Sequence, residues 1–144
     1  MKKTSLTLIL PQILSNHKEW FSSKGREGIF ADLSEENLRG ANFRNCNLVE
    51  ANLQASDLCY ADFSDADLRG ANLLEAQLKG AKLENANFEE TDLMWANLQG
   101  ANLENTRFDG AYLQGANLID TGITLAQIEL AFTDEDTQLP NNIY

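Results

Sequence analysis

The chain has 144 residues, with 22 acidic and 11 basic groups, one histidine and two cysteines. That length suits one domain, and the net charge of −11 argues against generic binding to nucleic-acid phosphates, which needs clustered Lys and Arg. No apolar run approaches the ~20 residues of a membrane-spanning helix.

Residues 1–30 carry five basic and two acidic groups. Met1-Lys2-Lys3 followed by Leu6 to Leu10 has the outline of an export signal, but Pro11 follows, and Ser15-Asn16-His17-Lys18-Glu19 is not a small-residue cleavage site. The expected compartment is the reducing cytoplasm, with export to a periplasm or thylakoid lumen as the alternative. Ile13, Leu14, His17, Trp20 and Phe21 recur at helical spacing. Pro11 suits the first turn of such a helix, and Ser22-Ser23-Lys24-Gly25 ends it. Residues 1–30 therefore read as an N-terminal helical cap.

From residue 31 to 120 the pattern changes. Leu or Phe occupies every fifth position without a break from Leu33 to Leu118, which makes 18 consecutive pentads. Two residues earlier stands a small side chain, Ala in 13 of the 18, with Glu36 the one large exception. The residue between is usually Asn or Asp. Five residues of α-helix turn about 500°, so these Leu would circle the axis and make no stripe. In a straight strand, odd spacing would send successive Leu to opposite faces. The chain must turn a corner once per pentad, with the small residue and the Leu both inward.

Four such pentads close a square coil of 20 residues, and 18 pentads give about four and a half coils, ~22 Å tall at ~4.8 Å per coil. Each inward residue then lies beside the one 20 positions later, pairing Phe43 with Phe63 and Phe88 with Phe108 as a core stack. A narrow lumen admits only one large side chain per pentad, hence the Ala. Asn and Asp suit the middle position because they bond nearby backbone groups. Gly40, Gly70, Gly80, Gly100, Gly110 and Gly115 fall where corners are expected.

Ala41-Asn42-Phe43-Arg44-Asn45, Ala71-Asn72-Leu73-Leu74-Glu75 and Ala101-Asn102-Leu103-Glu104-Asn105 resemble the A(D/N)LXX signature of the pentapeptide-repeat family, abundant in cyanobacteria. The resemblance covers residues 31–120. It implies an all-β repeat solenoid, a right-handed quadrilateral parallel β-helix with short α-helical caps at both ends. It implies no specific activity.

A stack of coils exposes apolar ends and open edges, so a second cap is expected at 121–144. Thr124 is a candidate helix cap, and Leu125, Ile128 and Phe132 form a short apolar stretch. The acidic tail Asp134 to Pro140 reads as irregular.

Chemistry is sparse. His17, on the apolar side of its helix, reads as a cap residue, and no second ligand neighbours it. Cys46 occupies an inward small position and reads as buried. Cys59 reads as an outward surface thiol on another face, so the two are not expected to pair. Most of the carboxylates sit on outward positions with no cleft to tune them. The expectation is a non-enzymatic protein with no catalytic residue, metal or cofactor.

The outward positions give one lead. Leu74, Met94 and Trp95, with Tyr112 one coil further, share one wall and form a candidate contact patch for an unidentified protein partner. The other reading of that patch is that a terminal segment folds over it. No direct nucleic-acid or membrane contact is expected, and the chain reads as a monomer or weak homodimer. A second functional reading comes from the resemblance, since some family members bind DNA gyrase or topoisomerase IV as DNA mimics and confer quinolone resistance. The −10 carried by residues 31–120 approaches the about 13 charges of duplex DNA over ~22 Å. Arg39, Arg44, Arg69, Lys79, Lys82 and Arg107 interrupt those acidic walls.

Overall fold

A computed structural model describes residues 6–143 of the chain. The basic start Met1-Lys2-Lys3 lies outside the described residues. Two helices, α1 (Leu6–Ser22) and α2 (Leu125–Glu129), flank the repeats.

Between them the chain is a coil with a 20-residue period. The middle residue of each pentad forms one parallel bridge to its counterpart in the next coil, from Asp32 with Asn52 through Asn97 with Asn117. Each bridge uses two bonds: the Asn52 N–H donates to the Ala31 carbonyl at 3.0 Å, and the Leu33 N–H donates to the Asn52 carbonyl at 2.7 Å. Among the described residues no rung grows into a longer strand, because a corner follows three residues later.

All 18 corners have positive φ, between 53° and 69°. A bond such as Ala41 N–H to the Leu38 carbonyl, 3.0 Å, closes each turn but the first. Positive φ at the third residue of a closed four-residue turn is the type II pattern. The six glycines meet the expectation. Tyr60, Glu75 and Trp95 occupy the same left-handed region, at a cost of about 1–2 kcal/mol each. The ladder on both sides enforces that conformation. Every Asn or Asp in a middle position, from Asp32 to Asn117, accepts from the backbone N–H two residues on, as Asn72 Oδ1 does from Leu74 at 3.1 Å.

The lumen is filled by the Leu, Phe and small positions. Phe43 stacks on Phe63 with centroids 4.6 Å apart and planes 7° apart, and Phe88 on Phe108 at 5.8 Å and 28°. Thr91 and Thr106, in small positions, send their hydroxyls to the Leu68 and Leu83 carbonyls at 2.8 and 2.7 Å. Glu36 is exposed at the lower rim, and its corner is the one without a closing bond.

α1 lies across the lower end. Leu10 is buried, and Leu6, Ile13 and Leu14 pack on the core. The stripe thus begins earlier than expected, and Pro11 is inside the helix rather than in its first turn. Pro11 is exposed, so its missing N–H lies on the solvent side while Leu6 and Leu10 hold the preceding turn against the core. The helix ends as proposed: Lys24 N–H bonds the Phe21 carbonyl at 3.1 Å and Gly25 N–H the Trp20 carbonyl at 2.8 Å, with both residues at positive φ, a Schellman motif. The loop then folds back along α1, with Ile29 N–H on the Asn16 carbonyl at 3.2 Å. Gly28 permits that approach, since a methyl group there would collide with the Asn16 carbonyl and the Trp20 nitrogen.

The upper end departs most from expectation. Ile123 is buried at the next inward position, and Thr124 caps α2 through a reciprocal pair with Gln127. Of the three expected cap residues, only Ile128 packs on the core; Leu125 and Phe132 are exposed. Phe132 bridges Tyr112, and Gln138 bridges Asn117, so the tail is a continuation of the coil and not irregular. The second bridge spans 21 residues. The extra one is absorbed in a turn where Asp134 Oδ1 accepts from the Asp136 and Thr137 N–H groups at 3.1 and 3.0 Å.

Candidate functional site

Wall 1 comprises the pentads that start at Ala31, Ala51, Ala71, Thr91 and Ala111, and the other three walls follow in chain order. Leu74 and Met94 occupy equivalent, half-buried positions in successive coils of wall 1. Trp95 is the adjoining corner and is 55% exposed. Its indole covers Gly115, the corner one coil on. Tyr112, also exposed, stacks on Phe132 with centroids 5.2 Å apart. Sequence reasoning placed Phe132 in the cap. Its outward position on Tyr112 extends the patch to the top of the wall, so the terminal segment enlarges this surface rather than folding over it.

Wall 1 differs from the others in charge as well. Its pentads contain Asp32, Glu35, Glu75 and Asp92 and no Lys or Arg. Among the described residues the ion pairs lie elsewhere: Arg39 with Asp57 on wall 2, Arg44 with Asp62 and Asp65 on wall 3, and Arg69 with Asp67 on wall 4. Arg107 joins Glu89 and Asp109 on wall 4 and so bridges these two carboxylates of successive coils. At the top of wall 1, Asp134 Oδ1 accepts from the Gly115 N–H at 3.0 Å. That bond, reinforced by Thr137, holds the Asp134 carboxyl below the usual carboxylate range. Gln114 Oε1 on this wall is the one buried side-chain oxygen without a partner among the described residues.

The cysteines reverse the expectation. Cys59, anticipated at the surface, is buried, whereas Cys46 is half-buried in its small position. The groups around Cys59 include Asp57, Arg39 from the coil below and Lys79 from the coil above. Cys46 lies in the lowest coil, with no coil beneath it. Burial pushes both thiols up, and neither is disulfide-bonded.

His17 is a packing residue at the lower end. Its Nδ1 accepts from the Ala31 N–H at 3.1 Å, so the proton is on Nε2, which donates to the Val49 carbonyl at 2.9 Å. Trp20 stacks on it at 5.7 Å, and Phe30, a residue the sequence reading passed over, packs edge-on to both. Phe21 instead lines a groove on wall 4 with Val49, Glu50, Arg69 and Glu89. Among the described residues, no three His, Cys, Asp or Glu side chains converge as metal ligands.

A family model described as Pentapeptide repeats matches in eight copies over residues 29–58, 37–73, 71–108 and 91–124. The chain is similar to HetL, a pentapeptide repeat protein involved in heterocyst differentiation regulation in the cyanobacterium Nostoc sp. strain PCC 7120. The two share 42% identity at a TM-score of 0.61, over 61% of this chain and 37% of HetL. A further pentapeptide repeat protein from Nostoc is 26% identical over 91% of this chain and 88% of its own, at a TM-score of 0.41. QnrB1, a plasmid-mediated fluoroquinolone resistance protein, is 16% identical at a TM-score of 0.32, over 69% of this chain and 60% of its own. That distance carries no functional argument. No curated protein matches the chain in sequence.

Proposed function

We propose, from the premise that this chain belongs to the pentapeptide repeat family, that it is a non-enzymatic protein-binding module whose contact face is wall 1. The observation that carries this reading is the patch itself. Leu74, Met94, Trp95, Tyr112 and Phe132 form one apolar surface on a rod whose remaining outward positions are mostly polar or charged. Trp, Tyr and Met are enriched at the centres of protein interfaces. A wall built on a bridge every coil holds these side chains at fixed spacing, so little ordering entropy is lost on binding. The family also supports a right-handed sense for the coil, which makes it a right-handed quadrilateral β-helix. A regulatory role of the kind described for HetL fits such a module. The chain spans 37% of HetL's length, so that role is part of this proposal. The DNA-mimic reading draws no support, because arginines neutralise carboxylates on three of the four walls.

The test is an affinity pull-down from lysate of the source cell, comparing wild type with Leu74→Ser, Met94→Ser, Trp95→Ser. A protein captured by the wild type and lost from the variant is expected. An identical list from both proteins would sink the module reading at this face.

A further inference from the structure

The charge map of the walls goes one step beyond a generic contact patch. Wall 1 is the one wall whose pentads hold no cation. Exposed Glu75 follows Leu74, and half-buried Asp92 precedes Met94. Above them the tail brings Asp134, Glu135 and Asp136, with Asp134 tied to Gly115 beside Trp95. None of these carboxylates appears among the ion pairs of the described residues. On the other walls every arginine meets a carboxylate. The apolar strip is thus rimmed by carboxylates that form no ion pair among the described residues.

We infer that wall 1 takes a cationic amphipathic segment of a partner protein, with apolar side chains on Leu74, Met94, Trp95 and Tyr112 and flanking Lys or Arg on Glu75, Asp92 and the Asp134–Asp136 turn. This rests on the module reading above and adds the chemistry of the partner. A rim of one sign steers an oppositely charged partner and penalises an acidic one. The strip runs from the third coil to the top rung, ~15 Å at ~4.8 Å per coil, which is about ten residues of helix.

Calorimetric titration of the full chain with three synthetic peptides of equal length tests this. One is an amphipathic helix of leucine and lysine, the second replaces its lysines with glutamate, and the third replaces its leucines with serine. The Leu/Lys peptide alone is expected to bind measurably, and raised salt weakens it. The Glu75→Gln, Asp92→Asn variant is expected to weaken it by about tenfold. This variant keeps the fold, because Asn already serves at Asn52 and Asn72, the positions equivalent to Asp92, where it accepts the same backbone bond, and Glu75 is exposed. Three results overturn the inference and leave the module reading to its own pull-down. These are equal binding of the Leu/Glu peptide, equal binding of the Ser/Lys peptide, and undiminished binding to the charge variant. Unchanged binding to the Leu74→Ser, Met94→Ser, Trp95→Ser variant would remove wall 1 as the site and defeat both readings. Concentration-dependent self-association that blocks the peptide would make a second copy the occupant and also overturn the inference.

Discussion

The indole of Trp95 covers the α-carbon of Gly115, its counterpart one coil further on, so closely that a methyl group added at Gly115 would overlap the ring. Each corner residue thus sees the corner of the adjacent coil, and a bulky residue at one constrains the next. The exposed indole of wall 1 lies against a glycine 20 residues away.

This relationship separates two costs of replacing a corner glycine. Gly100 has φ of +68° with no atom near its added methyl, whereas Gly115 has φ of +69° and the Trp95 ring. Gly100→Ala is expected to cost about 1 kcal/mol from the left-handed backbone alone. Gly115→Ala should cost more, and the excess should vanish when Trp95→Ala is present. Urea midpoints of the four variants check this. Equal losses at Gly100 and Gly115 would show that the ring moves aside freely.

The lower end is expected to loosen in mild acid. Burial holds the His17 pKa below its ordinary 6.5, while the Val49 carbonyl and Glu50 pull the other way and lose. Its Nδ1 is already occupied by the Ala31 N–H, so a second proton would break that bond. Above pH 6.5 both folded and unfolded chains are neutral at His17. As pH falls through 6.5, the unfolded chain takes a proton that the folded one refuses, so stability declines until the folded pKa is reached. His17→Phe should lose about 1–3 kcal/mol at neutral pH, because the Ala31 N–H and Val49 carbonyl are left unpaired. It should also lose this pH dependence. Chemical denaturation on either side of pH 6.5 distinguishes the two proteins, and identical slopes would refute the role given to His17.

At the upper end, Gln127 closes carbonyls that have no further rung above them. Its Nε2 donates to the Leu103 and Thr106 carbonyls at 3.0 and 2.9 Å, while Oε1 accepts from the Thr124 N–H at 2.9 Å. Gln127→Ala is expected to cost about 1–3 kcal/mol and to act locally. Hydrogen exchange should quicken at the Ile128 and Ala131 amides and stay unchanged at Leu53 in the second coil. Gln127→Glu keeps the acceptor and loses the donor, so it should restore the α2 cap without protecting the rim. Uniform acceleration along the rod would show that α2 is not a separate cap.

Several features were legible because they depend on short stretches of chain repeated at a fixed period. One corner per pentad follows from the spacing of Leu33 to Leu118, and the volume of the lumen then demands Ala beside them. The pairing of Phe43 with Phe63 and of Phe88 with Phe108 follows from the period of 20 alone. The Asn and Asp of the middle positions bond to the backbone two residues on, a preference set by the length of their own side chains.

The ends and the outer layer were decided by contacts between residues far apart in the chain. Pro11 looked like a helix start, yet Leu6 and Leu10 meet the floor of the lumen and carry α1 past it. Cys59 looked exposed until the Arg39 side chain from the coil below and the Lys79 backbone from the coil above were laid beside it. Phe132 looked like a plug for the core, but Ile123 already fills that place, and Phe132 pairs outward with Tyr112. The amino-acid sequence by itself determined the coil, its period and its core, since turn preference and side-chain volume act within five residues and are repeated at each corner. Only the tertiary structure decided which surface is apolar, which thiol is covered and how each end closes, because those depend on where side chains from separate coils come together.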